Sequence, residues 1–111
     1  PIWESETGHA IPLGGIVARR SLGGERIRTI DGAIRSSLGR AYERPDDIWD
    51  TVRAHAQEMD DDVMRQHIDL YVNDFTRDYG EEGEAAIMHL LAQAEEIGAV
   101  PTSDLPLFAP E

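Results

Sequence analysis

The chain has 111 residues and a formal net charge of −12, with 22 acidic residues against ten arginines, no lysine and no cysteine. A body this acidic repels nucleic-acid phosphates and anionic membranes, which argues against partners of either kind. The missing cysteines remove disulfides and thiolate metal sites and fit a reducing, cytoplasmic setting.

The length suits one domain or a piece of one. The charge is uneven. Residues 1–44 hold seven arginines and five acids, whereas residues 45–111 hold three arginines and 17 acids. No apolar run approaches membrane-spanning length, and no leader-like segment is visible. In chain order, residues 2–10 read as a polar lead-in with Trp3 as its one large apolar anchor and a turn at Thr7-Gly8. Residues 11–20 read as the only strand. Pro12 belongs at a strand start or edge because it has no N–H to give a ladder. Ile16, Val17 and Ala18 run without alternation, as in a strand covered on both faces. No second strand of similar quality follows, so the sheet is expected to lie mostly outside these residues, and the chain reads as the C-terminal part of a longer protein. The orphan strand is then satisfied either by the missing N-terminal part or by self-association. Gly14 and Gly15 let a ligand or another backbone come close; close ligand approach at a strand mouth and tight strand packing both remain open readings.

The loop Ser21-Leu22-Gly23-Gly24 has neither a dinucleotide fingerprint nor a phosphate-loop lysine. A helix is predicted over about 25–43, with Ile27, Ile30, Ile34, Leu38 and Ala41 as its apolar stripe. Pro45 ends it and opens a second helix to about residue 58, with Ile48, Val52, Ala56 and Met59 buried beside Trp49. Asp60 reads as the N-cap of a third helix, with Met59 stapled onto Met64. Val63, Met64, His67, Ile68, Tyr71 and Val72 form its inner face. Residues 73–80 read as a loop plugged by Phe75 and Tyr79. A fourth helix follows over about 81–97, with Ile87, Leu90, Leu91 and Ala94 inward and Gly98 as its stop. The tail, 100–111, holds three prolines and is extended, with Leu105, Leu107 and Phe108 strapping it to the body. The organisation is thus a lead-in, strand and loop (1–23), a helical region (24–98) and a tail (99–111), mostly α with one strand.

No catalytic constellation stands out. The histidines His9, His55, His67 and His89 lack metal-site spacing. Asp60-Asp61-Asp62 lacks the alternation, glycine and closing glutamate of a calcium loop and is better read as helix capping. Ser36 and Ser37 sit mid-helix without a nucleophile elbow. The substrate-binding candidates are Pro12, Leu13, Gly14 and Gly15.

Thr7-Gly8, the run Ile11-Pro12-Leu13-Gly14-Gly15-Ile16-Val17-Ala18-Arg19-Arg20 and Leu22-Gly23 closely resemble the C-terminal third of the 1,4-dihydroxy-6-naphthoate synthases. Val52-Arg53-Ala54-His55-Ala56-Gln57-Glu58, Tyr71-Val72-Asn73 with Phe75, and Gly80-Glu81-Glu82-Gly83 look like the same family. Chorismate dehydratases share the fold but usually lack the Pro-Leu-Gly pattern. The resemblance implies an α/β parent of the type II periplasmic-binding-protein kind, with a cleft between two lobes. It implies cleavage of cyclic dehypoxanthinyl futalosine to 1,4-dihydroxy-6-naphthoate, on the futalosine route to menaquinone, without metal or organic cofactor. It places the catalytic base, a histidine, upstream; none of His9, His55, His67 or His89 matches it. A solute-binding protein of the same fold and a non-catalytic interaction fragment are the competing readings.

Overall fold

The computed structural model describes residues 2–57 and 60–111. They form six α-helices and one 3-10 turn. Helix α1, Ile2–Thr7, occupies most of the polar lead-in, to which the sequence assigned no helix. It is closed by Gly8, whose N–H donates to the Glu4 carbonyl at 2.9 Å and whose φ of 72° suits glycine alone. Trp3 is half-buried, as an anchor should be, and donates from Nε1 to the Ala10 carbonyl.

The expected strand over 11–20 is not formed, and no strand occurs among the described residues. Residues 11–19 carry no regular structure, and a 3-10 turn, Arg20–Leu22, replaces the strand's end. The reason is physical. A strand is defined by a ladder of N–H and C=O groups on a neighbouring strand, and these residues supply no neighbour. Ile16 is 76% and Val17 92% exposed, the reverse of cover on both faces.

Helix α2, Gly24–Glu43, follows the predicted stripe: Ile27, Ile34, Leu38 and Ala41 are half-buried and Ile30 is on the exposed rim. Arg44 breaks it, and Pro45 opens α3, Pro45–His55, with Asp46 and Asp47 where the helix dipole favours carboxylates. Helix α3 stops before the predicted end, because Ala56 is already extended (φ −79°, ψ 144°). Glu58 and the Met59 staple lie outside the described residues. Asp60 caps α4, Asp61–Tyr71, accepting from the N–H of Asp62 at 2.9 Å and of Val63 at 3.1 Å. Met64 is buried, but His67 and Tyr71, expected on the inner face, are exposed. The predicted 73–80 loop contains a short helix α5, Asp74–Arg77, started by a capping box between Asn73 and Thr76. Helix α6, Gly80–Glu96, ends at Gly98, whose φ is 75°. Its buried positions are Gly83 and Ala86, flanked by Ile87, Leu91 and Ala94; Leu90, expected inward, is exposed.

Polar ties join the helices. Tyr42 Oη on α2 donates to the Val72 carbonyl at 2.9 Å, and the Arg77 guanidinium lies 4.2 Å over the Tyr42 ring. Asp61 accepts from Trp49 and Arg53 of α3, and Arg65 lies 4.1 Å over the Trp49 ring. The accessible surface is 9100 Å² and the radius of gyration 16.7 Å. A self-contained monomer of this mass exposes roughly 6,100 Å² and has a radius near roughly 13 Å. These residues are therefore an open layer, with much apolar surface uncovered.

Candidate functional site

Part of the uncovered apolar surface lies along the extended segment. A broad, half-open groove of about 1460 Å³ is walled by residues 10–20, by the Ile27, Ile30 and Ile34 face of α2, by the start of α6 and by the tail from Pro106 to Glu111. The four candidate residues sit in its wall. Pro12 is half-buried; Leu13, Gly14 and Gly15 are exposed. The two glycines differ. A Cβ on Gly14 would meet nothing within 4 Å, whereas one on Gly15 would lie 2.8 Å from Tyr79 Oη. Gly15 is thus a packing glycine as well as a groove residue, and Gly14 is the one that leaves space open.

One ion cluster lies on the groove wall. Arg35 Nε donates to Asp31 at 2.8 Å, and its Nη1 donates to Asp78 at 3.0 Å and to the Arg77 carbonyl at 3.1 Å. The hydrogen bond that Arg35 donates to Asp31, with the one it donates to Asp78, holds its guanidinium more firmly charged than usual. Asp78 accepts the Gly80 N–H at 2.9 Å; that bond, then Arg35, holds its carboxyl below the usual range. The i, i+4 spacing of Asp31 and Arg35 was legible in the sequence; the contribution of Asp78 was not.

The histidines lie away from the groove. His89 of α6 meets Trp3 and His9 edge-on, with ring centroids 5.6 Å apart in both pairs. His55 Nδ1 is 2.9 Å from the Thr51 carbonyl, and His67 meets Tyr71 edge-on. Among the described residues, no three His, Asp or Glu side chains gather around a point that would hold a metal ion. No described helix is long and apolar enough to cross a membrane. The residue that sequence reasoning undervalued is Tyr79, taken as a loop plug. Its partner Gly15 is far away in sequence, and no local signal pairs them.

A groove walled by small residues and apolar helix faces, with charged side chains such as Arg20, Arg35 and Asp78 among them, is suited to a small organic molecule that carries polar groups. Residues 1–96 match the family described as menaquinone biosynthesis, and the chain belongs to it. A 1,4-dihydroxy-6-naphthoate synthase of Thermus thermophilus is 48% identical over 106 residues, covering 96% of this chain and 39% of that protein. A synthase of the same name from Streptomyces coelicolor is 50% identical over 99 residues, covering 89% of this chain and 35% of that protein. The chain therefore spans less than two-fifths of the length of these relatives.

Proposed function

We propose that this chain is the C-terminal part of a 1,4-dihydroxy-6-naphthoate synthase, a lyase that converts cyclic dehypoxanthinyl futalosine to 1,4-dihydroxy-6-naphthoate in menaquinone biosynthesis. The observation that carries the reading is the near-complete coverage of the chain by two synthases at 48% and 50% identity. Pro12, Leu13, Gly14 and Gly15 border the substrate cleft in this reading, supported by the open space at Gly14. The rest of the parent supplies the other lobe of a periplasmic-binding-protein-like fold, the base histidine, and the strands that residues 11–18 pair with. The reaction uses no metal or organic cofactor, and the enzyme works in the cytoplasm.

The test is a chromatographic assay with purified cyclic dehypoxanthinyl futalosine. The full-length parent releases dihydroxynaphthoate, and the isolated 111 residues do not. Turnover by the isolated chain would overturn the placement of the base upstream. A parent that binds the substrate without converting it would favour the solute-binding alternative.

A further inference from the structure

The C-terminal tail is tied to the extended segment's surroundings at two points, the 3-10 turn that follows it and Tyr79, which lies against Gly15. At one end, Arg20 Nη2 donates to the Pro106 carbonyl at 3.0 Å. At the other, the Phe108 ring meets the Tyr79 ring, with centroids 6.1 Å apart and planes inclined by 59°, and Tyr79 Oη lies 2.8 Å from where a Cβ on Gly15 would be. Tyr79 is itself fixed from behind. A Cβ on the buried Gly83 would lie 3.0 Å from Tyr79 Cβ and 3.1 Å from Phe75 Cδ1, so the missing side chain leaves room for the base of Tyr79 and the Phe75 ring against α6. The contact runs unbroken from Phe108 through Tyr79 to Gly15. The whole tail lies beyond residue 96, where the family match ends.

We propose that residues 104–111 act as a strap that positions Leu13, Gly14 and Gly15 for substrate, with Phe108, Tyr79 and Arg20 as positioning residues. The inference rests on the reading that this segment borders the cleft. Even where the parent's strands pair residues 11–18, glycines at 14 and 15 leave that stretch locally adaptable, and holding it in the bound conformation raises affinity by removing the ordering cost at binding. The strap therefore governs KM more than kcat. None of the three positioning residues needs to touch the reacting atoms.

The experiment uses the full-length parent. Phe108→Ala removes one aromatic partner and raises KM by roughly 3- to 10-fold, the scale of one aromatic pair, with kcat nearly unchanged. Phe108→Tyr keeps the ring and restores wild-type KM. Tyr79→Phe retains the fold, removes only the atom against Gly15, and shifts KM in the same direction by a smaller factor. Amide exchange at residues 13–17 quickens in Phe108→Ala. Gly14→Val, measured alongside, separates this inference from the site reading. Weakened affinity in Gly14→Val together with wild-type KM in Phe108→Ala would overturn the strap and leave the site in place. Wild-type kinetics in Gly14→Val would overturn the site reading; the strap would then be judged by exchange, and unchanged rates at 13–17 in Phe108→Ala would overturn it too.

Discussion

Gly15 and Tyr79 form a lock whose two halves depend on each other. Gly15 does not have a positive φ, so alanine is acceptable to its backbone, but the new Cβ would sit 2.8 Å from Tyr79 Oη. Gly83 seats the Tyr79 Cβ and Phe108 meets the Tyr79 ring, and both resist the shift of Oη that the new Cβ demands. Gly15→Ala in the parent should cost about 1–3 kcal/mol as an overpacking change, and Tyr79→Phe should relieve most of it through coupling on the order of 1 kcal/mol. Denaturant melts of the two single variants and the double variant measure this; additive costs would disprove the lock. Asp78 works by charge. Its pKa is depressed in the folded state by the Gly80 N–H and then by Arg35, so the folded form binds a proton less readily than the unfolded form. Its contribution is complete above the ordinary carboxylate pKa and is lost as pH falls through the lower folded value. The carboxylate is exposed, so the effect is modest. Asp78→Asn should flatten the acid limb of stability below about pH 5, read as melting temperatures from neutral pH down to about pH 3. An acid limb as steep as the wild type's would count against this role.

At the scale of the element, several helix boundaries rest on a local device, and the devices can be ranked. The Asp60 side chain accepts two backbone N–H groups at the start of α4, while Asp62 in the same turn supplies only a charge near the dipole. Asp60→Ala should therefore cost about 0.5–2 kcal/mol, and Asp62→Ala about 0.3–1 kcal/mol at most. Asp60→Ser should recover most of the loss, since serine caps nearly as well. Midpoints of denaturant unfolding decide the matter, and equal costs for the two aspartates would refute the cap. Pro45, Asp60 and Gly98 made these boundaries legible in the sequence, because a cap or stop acts within one turn of its own residue. The inner faces were read less well. His67, Tyr71 and Leu90 keep the helical period but point past the small area that neighbouring helices cover. The short helix α5 was missed because four residues carry no periodicity.

At the scale of the molecule, the surplus of exposed surface and the lone extended segment belong to the same fact. Ile11, Leu13, Ile16 and Val17 are all exposed on a stretch whose composition suits a covered strand. If the parent supplies the ladder, amides of residues 13–18 exchange slowly in the full-length enzyme and near the unstructured rate in the isolated chain. Equally fast exchange in both would rule out the pairing. Slow exchange in the isolated chain, with a concentration-dependent rise in mass, would instead point to self-association through this segment.

The sequence by itself determined the long helices, their caps and stops, the acidic surface and the resemblance to its family. Each of these depends on residues within one or two turns of one another, or on composition alone. Tertiary structure decided the rest. It set Tyr79 against Gly15, brought Asp78 to Arg35 and laid the tail across Arg20. It also decided that residues 11–19 stay outside any sheet here, because a strand is completed by another segment's N–H and C=O groups. A residue pattern can fit a strand to such a partner without providing one.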